Sequence, residues 1–189
     1  MKTHRKHFLL VLVVSTFAVV GCQEALSPNA PVDNFSIQDI NTPPPGIKFL
    51  KFESSSLKGA TPSSTGYAEA TLYPAVGGTV GGAETFGNIV LIPAGSFSTA
   101  TTFSVNAYDG GSFSYVDFGP SMSFNSSVYI TLDFSRYNLS QGEFSSLKIY
   151  YWNANKGKWE KVNNPSKYDK TNTTISTWVN HFSRYAFGN

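Results

Sequence analysis

Few side chains in this 189-residue sequence can do chemistry, and their positions restrict what that chemistry is. Of three histidines, His4 and His7 lie in a basic amino-terminal run, which leaves His181 as the imidazole of the remaining chain. Phe182 and Ser183 follow it directly. A hydroxyl beside a peptide carbonyl with an imidazole close by is the raw material of nucleophilic catalysis, which also needs a donor for the oxyanion. Adjacency supplies the hydroxyl, while strain in the carbonyl would have to come from the fold. A conventional Ser-His-Asp hydrolase would also have to use His181, and the sequence has no Gly-x-Ser-x-Gly elbow. One histidine excludes a multi-His metal centre, and one cysteine excludes a Cys-rich zinc site and an intramolecular disulfide. Asp109, Asp117, Asp133 and Asp169 offer oxygens but no EF-hand spacing, so they read as solvated loop carboxylates and no metal or other cofactor is expected. Trp152, Trp159 and Trp178, with ten tyrosines, permit sugar stacking on an exposed face; their alternative use is core and cross-strand packing.

The amino terminus reads as an address. Residues 1–7 are basic, and Phe8 to Val20 is an apolar run interrupted only by Ser15 and Thr16. It is too short to span a bilayer and suits the apolar region of a signal peptide. It ends Val19-Val20-Gly21-Cys22, which resembles a bacterial lipobox. That resemblance implies export, attachment of diacylglycerol to the Cys22 sulfur, cleavage before Cys22 and acylation of the new amino terminus. More than one acyl chain makes such an anchor stable. Gln23, rather than an acidic residue, follows the cysteine, which by analogy with enterobacterial sorting implies the outer membrane. Removing residues 1–21 takes Lys2, Arg5 and Lys6, so Lys+Arg falls from 14 to 11 against 12 Asp+Glu and the net charge moves from +2 to near −1. That balance excludes a nucleic-acid binder working through a basic surface.

Residues 22–46 then read as the lipidated cysteine and a Pro-rich tether, with Pro28, Pro31 and the run Pro43-Pro44-Pro45-Gly46 favouring a stiff spacer. From Ile47 to Asn189 the pattern is short apolar or alternating runs separated by Gly, Ser, Asn and Pro. Strands are expected at Ile47–Phe52, Tyr67–Tyr73, Asn88–Ile92, Thr101–Tyr108, Phe113–Phe118, Val128–Phe134, Leu147–Trp152, Lys158–Val162, Thr173–Val179 and Arg184–Phe187. Asn153–Gly157 is a hairpin connection, and Ser140–Ser146 is a single helical turn. Only 14% of residues are charged, against about 25% in an average soluble protein, and 15% are aromatic. The expected fold is all-β, a two-sheet antiparallel β-sandwich behind a signal peptide and tether.

Gly77-Gly78-Thr79-Val80 and the run Ile89-Val90-Leu91-Ile92-Pro93-Ala94-Gly95-Ser96-Phe97 resemble the opening of a ZU-five domain, the β-sandwich shared by ankyrins and netrin receptors. Ser96 stands where that family usually has Ala. Phe118-Gly119-Pro120, with Met122 and Phe124, is similar to a later family segment, although Ser121-Met122-Ser123 lacks its glycine. Leu147–Trp152, Gly157–Val162 and His181–Ala186 resemble strands of bacterial lipoproteins of this type, so the likeness spans about residues 76–188. In some ZU-five-containing adaptors a His-Phe-Ser segment cleaves itself. Carried over, that implies attack by Ser183 on the Phe182 carbonyl with His181 as base, followed by hydrolysis of the ester. In the alternative, Phe182 fills the core while His181 and Ser183 point to the other face of a strand and make ordinary hydrogen bonds.

The leading expectation is a membrane-anchored, non-enzymatic envelope lipoprotein, a structural or interaction module with envelope proteins or glycans as partners. Self-processing between Phe182 and Ser183, and a glycan- or surface-polymer-binding module, are the two alternatives.

Overall fold

The computed structural model describes residues 38–51, 65–109 and 112–189. The signal peptide and Cys22 lie outside the described residues, as do residues 23–37 of the tether. Eleven strands are described: β1 (Thr65–Leu72), β2 (Gly78–Gly81), β3 (Ile89–Ile92), β4 (Thr101–Tyr108), β5 (Tyr115–Gly119), β6 (Ser123–Asp133), β7 (Lys148–Asn153), β8 (Lys158–Lys161), β9 (Ser166–Asp169), β10 (Thr174–His181) and β11 (Arg184–Gly188). One α-helix, α1 (Gln141–Ser146), lies between β6 and β7, and a single 3-10 turn (Ala83–Thr85) lies between β2 and β3. It starts in a capping box, in which the Glu143 amide donates to Ser140 Oγ and the Ser140 amide donates back to the Glu143 carboxylate. No helix among the described residues is long and apolar enough to cross a membrane.

The strands form two antiparallel sheets, ordered β1-β4-β5-β11-β7-β8 and β2-β3-β6-β10-β9. The expected β-sandwich is therefore the observed architecture. Alternation explains the core. In β6 every second residue from Val128 to Leu132 is fully buried, and these meet Val90 and Ile92 of β3 and Ile175 and Val179 of β10. Phe103 and Val105 of β4, Val116 and Phe118 of β5, and Tyr185 and Phe187 of β11 face them from the other sheet. Each such side chain contributes about 1.5–3 kcal/mol by leaving water, so the interface between sheets carries the fold.

Strand β11 is buried on both faces, which its near-continuous apolar sequence Tyr185-Ala186-Phe187 reflects. Tyr185 and Phe187 join the inter-sheet core, whereas Ala186 belongs to a second cluster with Phe49, Phe113, Tyr150 and Trp159. Phe49 plugs that cluster, packing edge-on against Phe113 and Trp159 with ring centroids 4.9 Å apart in each case. The expected strand at Ile47–Phe52 is accordingly different: within its described part, Phe49 makes a single bridge to Gly188. Pairing of β5 with β11 ends at Tyr115 and Ala186, and residues 48–50 take over beyond it, with the Leu50 amide donating to the Phe187 carbonyl.

The stretch 38–46, read as the end of the tether, lies along the domain. Ile40 packs on the second cluster, the Gln38 amide donates to the Gly157 carbonyl, and Gln38 Oε1 accepts from the Trp159 amide. Gly77 has φ +67° just before β2, and a Cβ there would stand 2.2 Å from the Ile92 carbonyl oxygen, so only glycine fits. Pro93 follows the last residue of β3, where the ladder stops.

Candidate functional site

His181, Phe182 and Ser183 form the corner at which the chain leaves one sheet for the other. Strand β10 is paired with β6 and β9, while β11 lies between β5 and β7. A bulge between Val179 and His181 shifts the register so that His181 faces Ser123, and Phe182 and Ser183 make the crossing. Bulges commonly turn strands at such corners. The backbone stays bonded through it: the Phe182 amide donates to the Met122 carbonyl at 2.8 Å, and the Phe118 amide donates to the Ser183 carbonyl at 3.1 Å. Among the described residues, left-handed φ values away from glycine occur at Phe86 and Thr173, and the cis peptide is Gly119-Pro120, so the tripeptide has neither feature.

Phe182 is 1% exposed and touches the rings of Phe103, Phe118 and Phe124, with centroids 5.8, 5.4 and 4.7 Å away. Ser183 Oγ donates to the Trp152 carbonyl at 2.5 Å, tying the corner to β7. The His181 carbonyl accepts from the buried Tyr185 hydroxyl at 2.8 Å, and Ser121 Oγ lies 3.4 Å from the Phe182 carbonyl oxygen. His181 Nδ1 is 3.0 Å from Asn180 Oδ1, which accepts its proton, while Nε2 is buried and has no partner. The imidazole stands edge-on against the Tyr151 ring at 4.6 Å. Burial lowers its pKa below the ordinary histidine value, and the nearby Glu160 charge opposes that only in part.

His181 and Ser183 line one cleft of about 420 Å³. Its other walls are the Asn153–Asn155 end of the β7–β8 hairpin, Asn180 on β10, and Ser121–Ser123 at the entry to β6. Tyr151 and Trp152, both half-buried, also border it; the Tyr151 ring lies beside His181, while the Trp152 indole turns to the other face of β7 and packs on Trp159. Behind them the Glu160 carboxylate accepts from the Tyr151 hydroxyl, Asn153 Nδ2 and Lys156 Nζ at 2.6, 2.9 and 2.9 Å. Those donors, the tyrosine foremost, hold the Glu160 pKa at about 2.

The three tryptophans do not form one platform. Trp152 and Trp159 are directly opposed on β7 and β8 and meet edge-on at 5.7 Å, as the hairpin connection Asn153–Gly157 implies. Trp159 is only 5% exposed, so it serves the core. Trp178 belongs to β10 of the other sheet, is 46% exposed, and packs against Tyr129, its cross-strand partner on β6.

The aspartates divide in the same way. Asp169 is half-buried at the end of β9, and its carboxylate accepts from the Thr171 and Asn172 amides of the turn that follows. Asp117 accepts two bonds from Arg184, whose guanidinium carbon lies 3.8 Å above the Tyr115 ring. Asp109 corrects the expectation of a solvated loop carboxylate: it is 6% exposed, with Arg136 and Tyr137 bonded to its two oxygens. It directly follows β4, and no local sequence signal announces a partner 27 residues away. No group of three His, Cys, Asp or Glu suited to a metal occurs among the described residues.

The cleft residues Ser121, Ser123, Asn155 and Asn180 carry no sequence signal as a site, because only the change of sheet at Phe182 brings their three segments together. No protein-family model and no curated protein matches the chain.

Proposed function

We propose that the chain is a lipid-anchored protein of a bacterial envelope, held at the outer membrane through acylated Cys22, and that its β-sandwich is a non-enzymatic structural or interaction module. The observation that carries the non-enzymatic reading is the bonding of the His181-Phe182-Ser183 corner. A nucleophilic serine needs its hydroxyl aimed at the carbonyl and a base in reach. Here the Ser183 hydroxyl donates to Trp152 of the neighbouring strand, His181 Nδ1 faces Asn180, and Phe182 sits among three aromatic rings. The ZU-five-like reading of residues 76–188 belongs to the same proposal, supported by the Gly77 turn before β2 and by Pro93 closing β3.

The anchor is tested by labelling. Produced with its own amino terminus in a Gram-negative host, the wild-type chain incorporates radiolabelled palmitate and fractionates with membranes, whereas Cys22→Ser takes up no label. A wild-type chain that takes up no palmitate contradicts the anchor.

One observation favours the second reading, self-processing between Phe182 and Ser183. Ser121 Oγ lies beside the Phe182 carbonyl oxygen, where an oxyanion donor would have to stand, and His181 Nε2 has no partner. At 3.4 Å the contact is longer than the roughly 2.7–3.1 Å of working oxyanion donors.

A further inference from the structure

We infer that one end of the sandwich, led by the turn 73–77, docks on the phospholipid surface in which Cys22 is anchored. The inference rests on the lipid-anchored reading above and adds to it which end of the domain faces the bilayer and which side chains touch it.

The two ends of the sandwich differ in charge. All strand pairs are antiparallel, so the connections sort by end. Connections 82–88, 109–114, 134–147 and 170–173 share one end, and they hold Glu84, Asp109, Arg136, Glu143 and Lys170. Connections 73–77, 93–100, 120–122, 154–157 and 182–183 share the other, and the charged residue among them is Lys156 alone. Connection 162–165, which joins strands running the same way, carries no charge. The contrast is written into the sequence: across residues 70–108 the single charged residue is Glu84, and it stands at the charged end. A surface without ions enters the headgroup layer with little dehydration cost.

The uncharged end also presents apolar side chains to solvent. Tyr73 and Val76 are 62% and 76% exposed, and Ala75 between them is exposed as well. A tyrosine beside aliphatic residues suits the bilayer interface, where its ring meets acyl chains and its hydroxyl stays wet. The backbone of the turn is largely bonded within the protein. The Tyr73 carbonyl accepts from the Val76 and Gly77 amides at 3.0 and 2.9 Å, and the Pro74 carbonyl accepts from the Gly95 amide at 2.8 Å. Those groups stay paired when the turn enters a layer poor in water. The route to the anchor agrees. The described chain begins at Gln38, bonded to Gly157 and Trp159 of the β7–β8 hairpin, at this same end. The 15 residues from 23 to 37 span about 50 Å at full stretch, enough for Cys22 to sit in the bilayer while this end faces it. At the hairpin Lys156 and Lys158 share one carboxylate, Glu160, which leaves positive charge where anionic headgroups lie. Two exposed side chains would not hold a free protein on a membrane. Once anchored, the tip meets the surface at an effective concentration in the millimolar range.

The test takes the full chain, purified in detergent from the Gram-negative host and placed with vesicles of phosphatidylethanolamine and a minor share of phosphatidylglycerol. Tyr73→Trp puts a reporter on the tip, and Lys170→Trp puts one on an exposed position at the charged end. The emission each variant adds to that of the wild-type chain is compared in plain vesicles and in vesicles whose acyl chains are brominated near the headgroup. Bromine quenches the Tyr73→Trp emission and leaves that of Lys170→Trp unchanged. Adding Val76→Asp to Tyr73→Trp restores most of the lost emission, with the denaturant midpoint unchanged because both side chains are exposed. An unquenched Tyr73→Trp overturns the inference. So does equal quenching of Lys170→Trp, or quenching that persists undiminished with Val76→Asp. Palmitate uptake at Cys22 is read separately, and quenching is read with vesicles whether or not label enters the chain. A labelled chain with an unquenched tip removes the docked end and keeps the anchor, while an unlabelled chain removes the anchor.

Discussion

Asp109 and His181 are both ionisable residues at the end of a strand, and their surroundings differ in every respect that matters for function. Asp109, just after β4, gives one oxygen to the Tyr137 hydroxyl and the other to Arg136 Nη1, each at 2.6 Å. The Arg136 guanidinium carbon lies 3.6 Å above the Phe86 ring. Burial, and after it the Asp109 charge, push the Tyr137 phenol far above its ordinary pKa. The void beside this group is about 10 Å³, scarcely room for one water. His181, the last residue of β10, keeps a ring nitrogen unpartnered at the edge of a cleft some forty times larger. Charge that is sealed and fully engaged fixes geometry. An imidazole held by packing, with one nitrogen bonded to Asn180 and the other buried without a partner, is instead kept from taking up a proton.

The largest effect expected from that contrast is at Asp109. Asp109→Ala leaves the Tyr137 hydroxyl and the Arg136 charge without their carboxylate, and breaking a buried pair this way costs about 3–5 kcal/mol. Urea unfolding of the full chain measures it. A loss under about 1 kcal/mol, typical of a surface pair, would break the comparison.

A smaller effect, in pH, sharpens the other side. Burial lowers the folded-state pKa of His181 below its unfolded value. The unfolded chain therefore binds the proton more readily, so stability rises with pH through that window and falls as the pH drops below the ordinary histidine value of about 6.5. In His181→Gln the part of the slope lying between that value and the carboxylate range disappears. Denaturant midpoints measured from pH 7.5 down to 5 check this, and an unchanged slope in the variant would place His181 in ordinary solvent.

Much of the sandwich was legible because alternation reports one-sided burial. Val128, Ile130 and Leu132 announce β6, and Phe103, Val105 and Ala107 announce β4. Strands β2 and β9 escaped because they are four-residue edges, Gly-Thr-Val-Gly and Ser-Lys-Tyr-Asp, held by backbone pairing to β3 and β10 with little apolar pattern. Ile47–Phe52 reads as a strand for the opposite reason. Ile47 and Phe49 pack in the cluster on the outer face of β11 and are selected by burial, whatever the ladder does. The Trp152–Trp159 pair follows from the hairpin, a local feature. The cleft does not, since Asn180, Ser123 and Asn155 meet only through a corner whose geometry depends on both sheets. The same holds for Asp109, whose type suggests a solvated loop and whose partners are set by tertiary packing.

The central claim is that His181-Phe182-Ser183 is a structural corner in an uncut chain. Intact-mass spectrometry of the purified protein under denaturing conditions tests it most directly, because a fragment held by β11 pairing would escape any native measurement. After prolonged incubation at neutral pH the account predicts one chain that retains Ser183–Asn189, with the same result for Ser183→Ala apart from the mass of the substitution. A species ending at Phe182, accompanied by a Ser183–Asn189 peptide and absent from Ser183→Ala, would contradict it.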